Sequence, residues 1–93
     1  MPKIALVDDE ESILTSVSLS LQSEGFIVDT FLNGVEALEA LESQSYDLGL
    51  FDIKMPKMDG NELLSKVRSS KIENLKDLPI IFFFFFISIV MNS

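Results

Sequence analysis

Three aspartates in this chain could do chemistry together. Leu48-Gly-Leu-Phe-Asp52 is an apolar run ending in one carboxylate, and Ile4-Ala-Leu-Val7 leads into two, Asp8 and Asp9. Short, almost wholly apolar runs of this kind are strands buried on both faces of a parallel sheet. Open α/β sheets place their ligands beyond the carboxyl ends of such strands. Two strand ends side by side would bring Asp8, Asp9 and Asp52 into one pocket. Like charges so close repel unless a divalent cation sits among them. Oxygen donors with retained water suit magnesium better than a transition metal. A carboxylate beside such a cation can accept a phosphoryl group, because the cation offsets the incoming charge. Taken singly, each piece has a plainer reading: an Asp that ends a strand, and acids that favour a helix N-terminus. Neither cluster has the residue pattern of an EF-hand loop.

The rest of the chain supplies elements that would position these residues. Glu11–Ser23 reads as a helix, since Ile13, Leu14, Val17 and Leu21 recur at helical spacing, and Gly25 is a natural stop. Ile27–Phe31 reads as a second strand. Asn33 caps a second helix with Glu36 as its capping-box partner and Val35, Leu38 and Leu41 as its apolar stripe. Tyr46–Phe51 is the expected third strand. Asp59 caps a third helix with Glu62, and Leu63, Leu64 and Val67 face inward. Ser69–Asp77 is a polar connection, and Pro79–Phe83 starts a fourth strand. Strand and helix alternate three times before that last strand, the pattern of an α/β protein with a parallel sheet.

Composition narrows the function. A chain of 93 residues makes one domain at most. A net charge of −8 argues against a nucleic-acid surface, which needs clustered Lys and Arg. With no Cys and no His, thiol catalysis, a Ser-His-Asp triad, a phosphohistidine and most zinc sites are excluded. No secretory signal opens the chain. The apolar run Leu78–Met91 is shorter than the roughly 17–25 residues of a membrane-spanning helix.

Asp8-Asp9-Glu10, Asp52, Lys54, Met55-Pro56, Asp59-Gly60 and the strand Leu78-Pro79-Ile80-Ile81-Phe82, in this order and spacing, resemble the receiver domain of bacterial two-component response regulators. Met1-Pro-Lys-Ile-Ala-Leu-Val-Asp-Asp and Phe51-Asp-Ile-Lys-Met-Pro are most similar to ChvI-type regulators. The resemblance implies a flavodoxin-like (CheY-like) doubly wound sheet of order 2-1-3-4-5, here incomplete, with about three βα units and a fourth strand. It implies that Asp52 accepts a phosphoryl group from a sensor histidine kinase. It implies Mg2+ bound directly by Asp9, mainly through water by Asp8, and also by Asp52 and the backbone carbonyl of Lys54. Pro56 would fix the turn that directs that carbonyl. Asp59 and Gly60 would be structural, and Lys57 a solvated charge. A cytoplasmic protein that is not a conventional enzyme follows from the same resemblance.

The family pattern has a Ser or Thr after the fourth strand and a Lys after a later one. Phe84 stands at the first of these positions, and the chain ends before the second. Residues 1–83 are therefore expected to be a truncated receiver, and 84–93 an apolar tail foreign to the family. Phosphorylation would then be impaired, and the open edge of the fourth strand would favour self-association. The rival functions are a kinase-docking module without phosphoryl chemistry, or a remnant of a transcriptional regulator.

Overall fold

The computed structural model describes residues 1–55 and 57–83. Seven elements follow in order: β1 (Lys3–Val7), α1 (Glu11–Ser23), β2 (Ile27–Phe31), α2 (Gly34–Ser43), β3 (Leu48–Asp52), α3 (Gly60–Arg68) and β4 (Ile80–Phe83). The strands form one parallel sheet in the order β2-β1-β3-β4. This is the flavodoxin-like, CheY-like arrangement expected from the alternation and the resemblance.

Side-chain alternation along the strands divides the core in two. Ala5, Val7 and Phe51 pack with Ala37 and Leu41 of α2 and Leu63 and Val67 of α3. On the opposite face, Leu6 packs with Ile13 and Leu14 of α1 and with Phe83 of β4. Ile4–Val7 is buried throughout because β1 lies between β2 and β3 with helices on both faces. Val7 pairs with Phe51 across the sheet, so the residues that follow them, Asp8 and Asp52, emerge side by side.

Several boundaries differ from the sequence reading. The third strand runs Leu48–Asp52, not Tyr46–Phe51. Tyr46 instead lies beside the strand entrance and donates its hydroxyl to Asp29 Oδ2 at 2.7 Å. Lys3 stands 4.8 Å above its ring and 3.6 Å from the same carboxylate. Burial and the Asp29 charge together push the Tyr46 phenol well above its usual range. Tyr46→Phe should cost about 1 kcal/mol, the net value of one such hydrogen bond, measurable by urea denaturation. β4 begins at Ile80, one residue later than expected, although the Pro79 carbonyl already accepts the Gly49 N–H at 2.9 Å.

Val35 is exposed rather than part of the α2 stripe; Ala37 and Leu41 are the buried positions, with Leu38 packed at their side. The inward face of α2 runs instead through Gly34, Ala37 and Leu41, spaced three and four residues apart. Leu64 is only half-buried, whereas Leu63 and Val67 are fully buried. The Ser69–Asp77 connection is polar but anchored: Leu75 is buried. Arg68 donates to the carbonyls of Lys76 and Leu78 at 2.9 and 2.7 Å, tying the end of α3 to the approach to β4.

Candidate metal and phosphoacceptor site

The site forms where β1 and β3 end. One carboxylate oxygen from each of Asp8, Asp9 and Asp52 can be chosen so that all three lie within 4.8 Å of one another. Asp8 is 3% exposed and Asp52 9%, while Asp9 is open to solvent. Backbone amides aim the buried pair. Asp8 Oδ1 accepts the Glu10 N–H at 2.9 Å, and Asp52 Oδ1 accepts the Lys54 N–H at 3.3 Å. The main chain of Asp8 is itself fixed, its N–H donating to the Phe31 carbonyl at 3.1 Å.

Three acids this close, two of them buried, are electrostatically unfavourable without a counter-charge. Burial is the largest cause that pushes the Asp8 carboxyl up from 3.8 to about 7, with Asp52 and Asp9 adding to it and the Glu10 amide opposing. Burial likewise raises Asp52, helped by the charges of Asp9 and Glu10 and opposed by the Lys54 amide and by Asp8. A divalent cation would remove this penalty, and oxygen donors that leave room for water are the chemistry magnesium takes. The residues present therefore fit the ion.

The raised Asp8 fixes a pH dependence. Between about pH 4 and 7, the folded protein keeps the Asp8 proton and the unfolded chain has lost it. Stability therefore falls as pH rises through that window. In metal-free buffer the melting temperature should drop from pH 4 to 7 relative to that of Asp8→Asn. Added Mg2+ should reverse the drop at the upper end. Parallel curves for the two proteins would show that Asp8 is not the titrating group.

The other expected residues fall as follows. Asp59 caps α3, its Oδ1 accepting the Glu62 N–H at 2.8 Å, and Asn33 does the same for α2 with the Glu36 N–H at 2.9 Å. Lys54 lies in the loop after β3, exposed, with its amide turned to Asp52. Lys57 is exposed in a left-handed conformation, φ 69°. Glu10 precedes α1 but makes no side-chain cap; its contribution is the backbone amide given to Asp8. No side-chain signal in the sequence marks that role. Pro56, Phe84 and the rest of 84–93 lie outside the described residues, so the readings made for them have no structural counterpart here. Among the described residues no helix is long and apolar enough to cross a membrane.

The family description "response regulator receiver domain" matches residues 4–87. The chain belongs to that family. The CpxR homologue of Haemophilus influenzae, a transcriptional regulatory protein, is 44% identical over 75 residues, which cover 81% of this chain and 32% of the relative. The response regulator TrrA of Thermotoga maritima, solved with Mg2+ and BeF, superposes with a TM-score of 0.82 at 40% identity. That match covers 90% of this chain and 70% of TrrA. A second structure, of the histidine kinase ThkA in complex with TrrA, matches with a TM-score of 0.79 at 41% identity, over 88% of this chain and 67% of that one. The chain spans about a third of the length of the curated regulators it matches. It is a receiver domain of the response-regulator class.

Proposed function

We propose that Asp52 is the phosphoacceptor of this receiver, that Asp8, Asp9, Asp52 and the Lys54 carbonyl hold Mg2+, and that the donor is a phosphohistidine on a sensor kinase. The observation that carries this reading is the convergence of the three carboxylates at the ends of two adjacent parallel strands. An oxygen of Asp52 attacks phosphorus, the P–N bond to the kinase imidazole breaks, and its electron pair stays on that nitrogen, which takes up a proton. The Lys54 amide keeps the other end of the carboxylate in place during the attack. Bound magnesium would supply positive charge to the phosphoryl oxygens. Catalysis would come from positioning and charge rather than from a side-chain base.

The reading extends to a cytoplasmic setting, where a kinase would reach the site, and to a role as a phosphorylation partner rather than a conventional enzyme. It includes a closeness to ChvI-type regulators, supported by the wording around Asp8-Asp9 and Asp52. It also includes self-association along β4, supported by Ile81, 54% exposed on that strand. The test of the whole is incubation with a small acyl phosphate, with and without Mg2+, followed by intact mass. Mg2+-dependent gain of one phosphoryl group supports the reading. No gain at any donor concentration contradicts it and leaves a docking module or a remnant.

A further inference from the structure

The loop that leaves Asp52 is pressed from two sides by glycines. α2 and α3 each start with glycine directly after their capping residue, at Asn33-Gly34 and Asp59-Gly60. A Cβ on Gly34 would stand 2.9 Å from both the Cβ and the carbonyl oxygen of Met58. A Cβ on Gly60 would run into the carbonyl oxygen of Asp52 itself, with Phe82 Cε1 at 2.9 Å and Ile53 Cα at 3.0 Å. Backbone cannot swing aside as the end of a flexible side chain can. Of the described glycines only Gly25 has a positive φ, so alanine could adopt the backbone of Gly34 or Gly60. What excludes a side chain there is contact alone.

Other bonds complete the hold. The Gly60 N–H donates to the Ile53 carbonyl at 2.9 Å, and the Ile53 N–H donates to the Phe83 carbonyl at 3.3 Å. Met55 and Met58 sit in the core shared by α2 and α3. The described part of the loop is thus fixed at its start by β4 and Gly60, and near its end by Gly34. Lys54 lies between those points.

We infer that Gly34 and Gly60 are positioning residues for the phosphoacceptor site: the close approach of two helix starts fixes Ile53 on one side and Met58 on the other, and so aims Asp52 and the Lys54 backbone. Gly34 acts from another helix, through Met58, without touching an acidic residue of the site. The inference rests on the magnesium reading of the site. Groups that orient metal ligands typically cost about 10–100-fold in affinity when disturbed.

The test is Mg2+ titration of the full chain, followed by the Lys54 carbonyl 13C resonance, in wild type, Gly34→Ala, Gly60→Ala and Leu41→Ala. Leu41 lies in the last turn of α2, away from the Gly34–Met58 contact, and is 2% exposed, so its loss lowers stability without altering either glycine contact. The expected result is a rise in Kd of about 10-fold or more for both glycine variants. Leu41→Ala should melt lower with Kd unchanged. Glycine variants that bind like wild type overturn the inference, as does an equal loss in Leu41→Ala. Should Gly60→Ala fail to fold, Gly34→Ala and a wild-type measurement decide: Mg2+ should slow hydrogen exchange at the Gly60 amide, and unchanged exchange overturns the clamp. A wild type whose Lys54 and Asp52 signals ignore Mg2+ removes the metal reading itself, a result distinct from failure of the glycine variants alone.

Discussion

In Mg2+ and a small acyl phosphate, Asp52→Asn should take up no phosphoryl group, whereas the wild-type chain should take up one. Three carboxylates compete for that role, and their surroundings separate them. Asp8 is the more deeply buried of the inner pair and is closely held by the Glu10 amide at 2.9 Å. At 3% exposure it offers an incoming phosphoryl group little access. Asp9 is solvated and suits direct ligation of a hydrated cation. Asp52 is held by one long amide bond of 3.3 Å, which leaves an oxygen free to attack. Asp9→Asn should keep the acceptor but slow labelling by about 10²–10³, the usual cost of removing an electrostatic contact to a transition state. Intact mass at the endpoint reads the first variant and the time course reads the second. A phosphoryl group found on Asp8, or full labelling of Asp52→Asn, would sink the assignment.

The acids were legible in the sequence because each follows a run whose burial is written in its composition. Ile4–Val7 and Leu48–Phe51 are apolar, so Asp8 and Asp52 mark where those strands end. The capping residues Asn33 and Asp59 were equally plain, since a short polar side chain before an apolar stripe has few other uses. What escaped is of a different kind. The third strand starts at Leu48, and Tyr46 ahead of it meets Asp29 and Lys3, a partnership across two other strands that local pattern does not contain. Val35 and Leu38 are both apolar, yet only the second packs on the core, because the inward face of α2 is centred on Gly34, Ala37 and Leu41. The amides of Glu10 and Lys54 that orient the carboxylates belong to the backbone and have no residue type to announce them. The steric demand at Gly34 arises from Met58, a contact between separate helix starts that spacing along the chain cannot reveal.

Phe51→Ala should cost about 3–5 kcal/mol, the typical value for emptying a buried aromatic position. A domain of this size has only about 5–15 kcal/mol in total, so this one change removes a large share of it. Phe51 is fully buried, pairs with Val7 across the sheet, and meets Phe82 edge to face at 6.5 Å and 66°. Its ring fills the face covered by α2 and α3, while the next residue, Asp52, turns to the opposite side. The same side chain therefore supports the core and fixes the level at which the acceptor emerges. Phe51→Leu keeps most of the volume and should cost less than about 1.5 kcal/mol. Urea midpoints measured for both variants separate cavity formation from a general intolerance of change at this position. Saturating Mg2+ should raise the Phe51→Ala midpoint, because an ion that binds only the folded site adds its binding free energy to folding. A Phe51→Ala protein that unfolds at the wild-type midpoint, or one indifferent to Mg2+ while wild type responds, would break the link drawn here between the core and the acidic site.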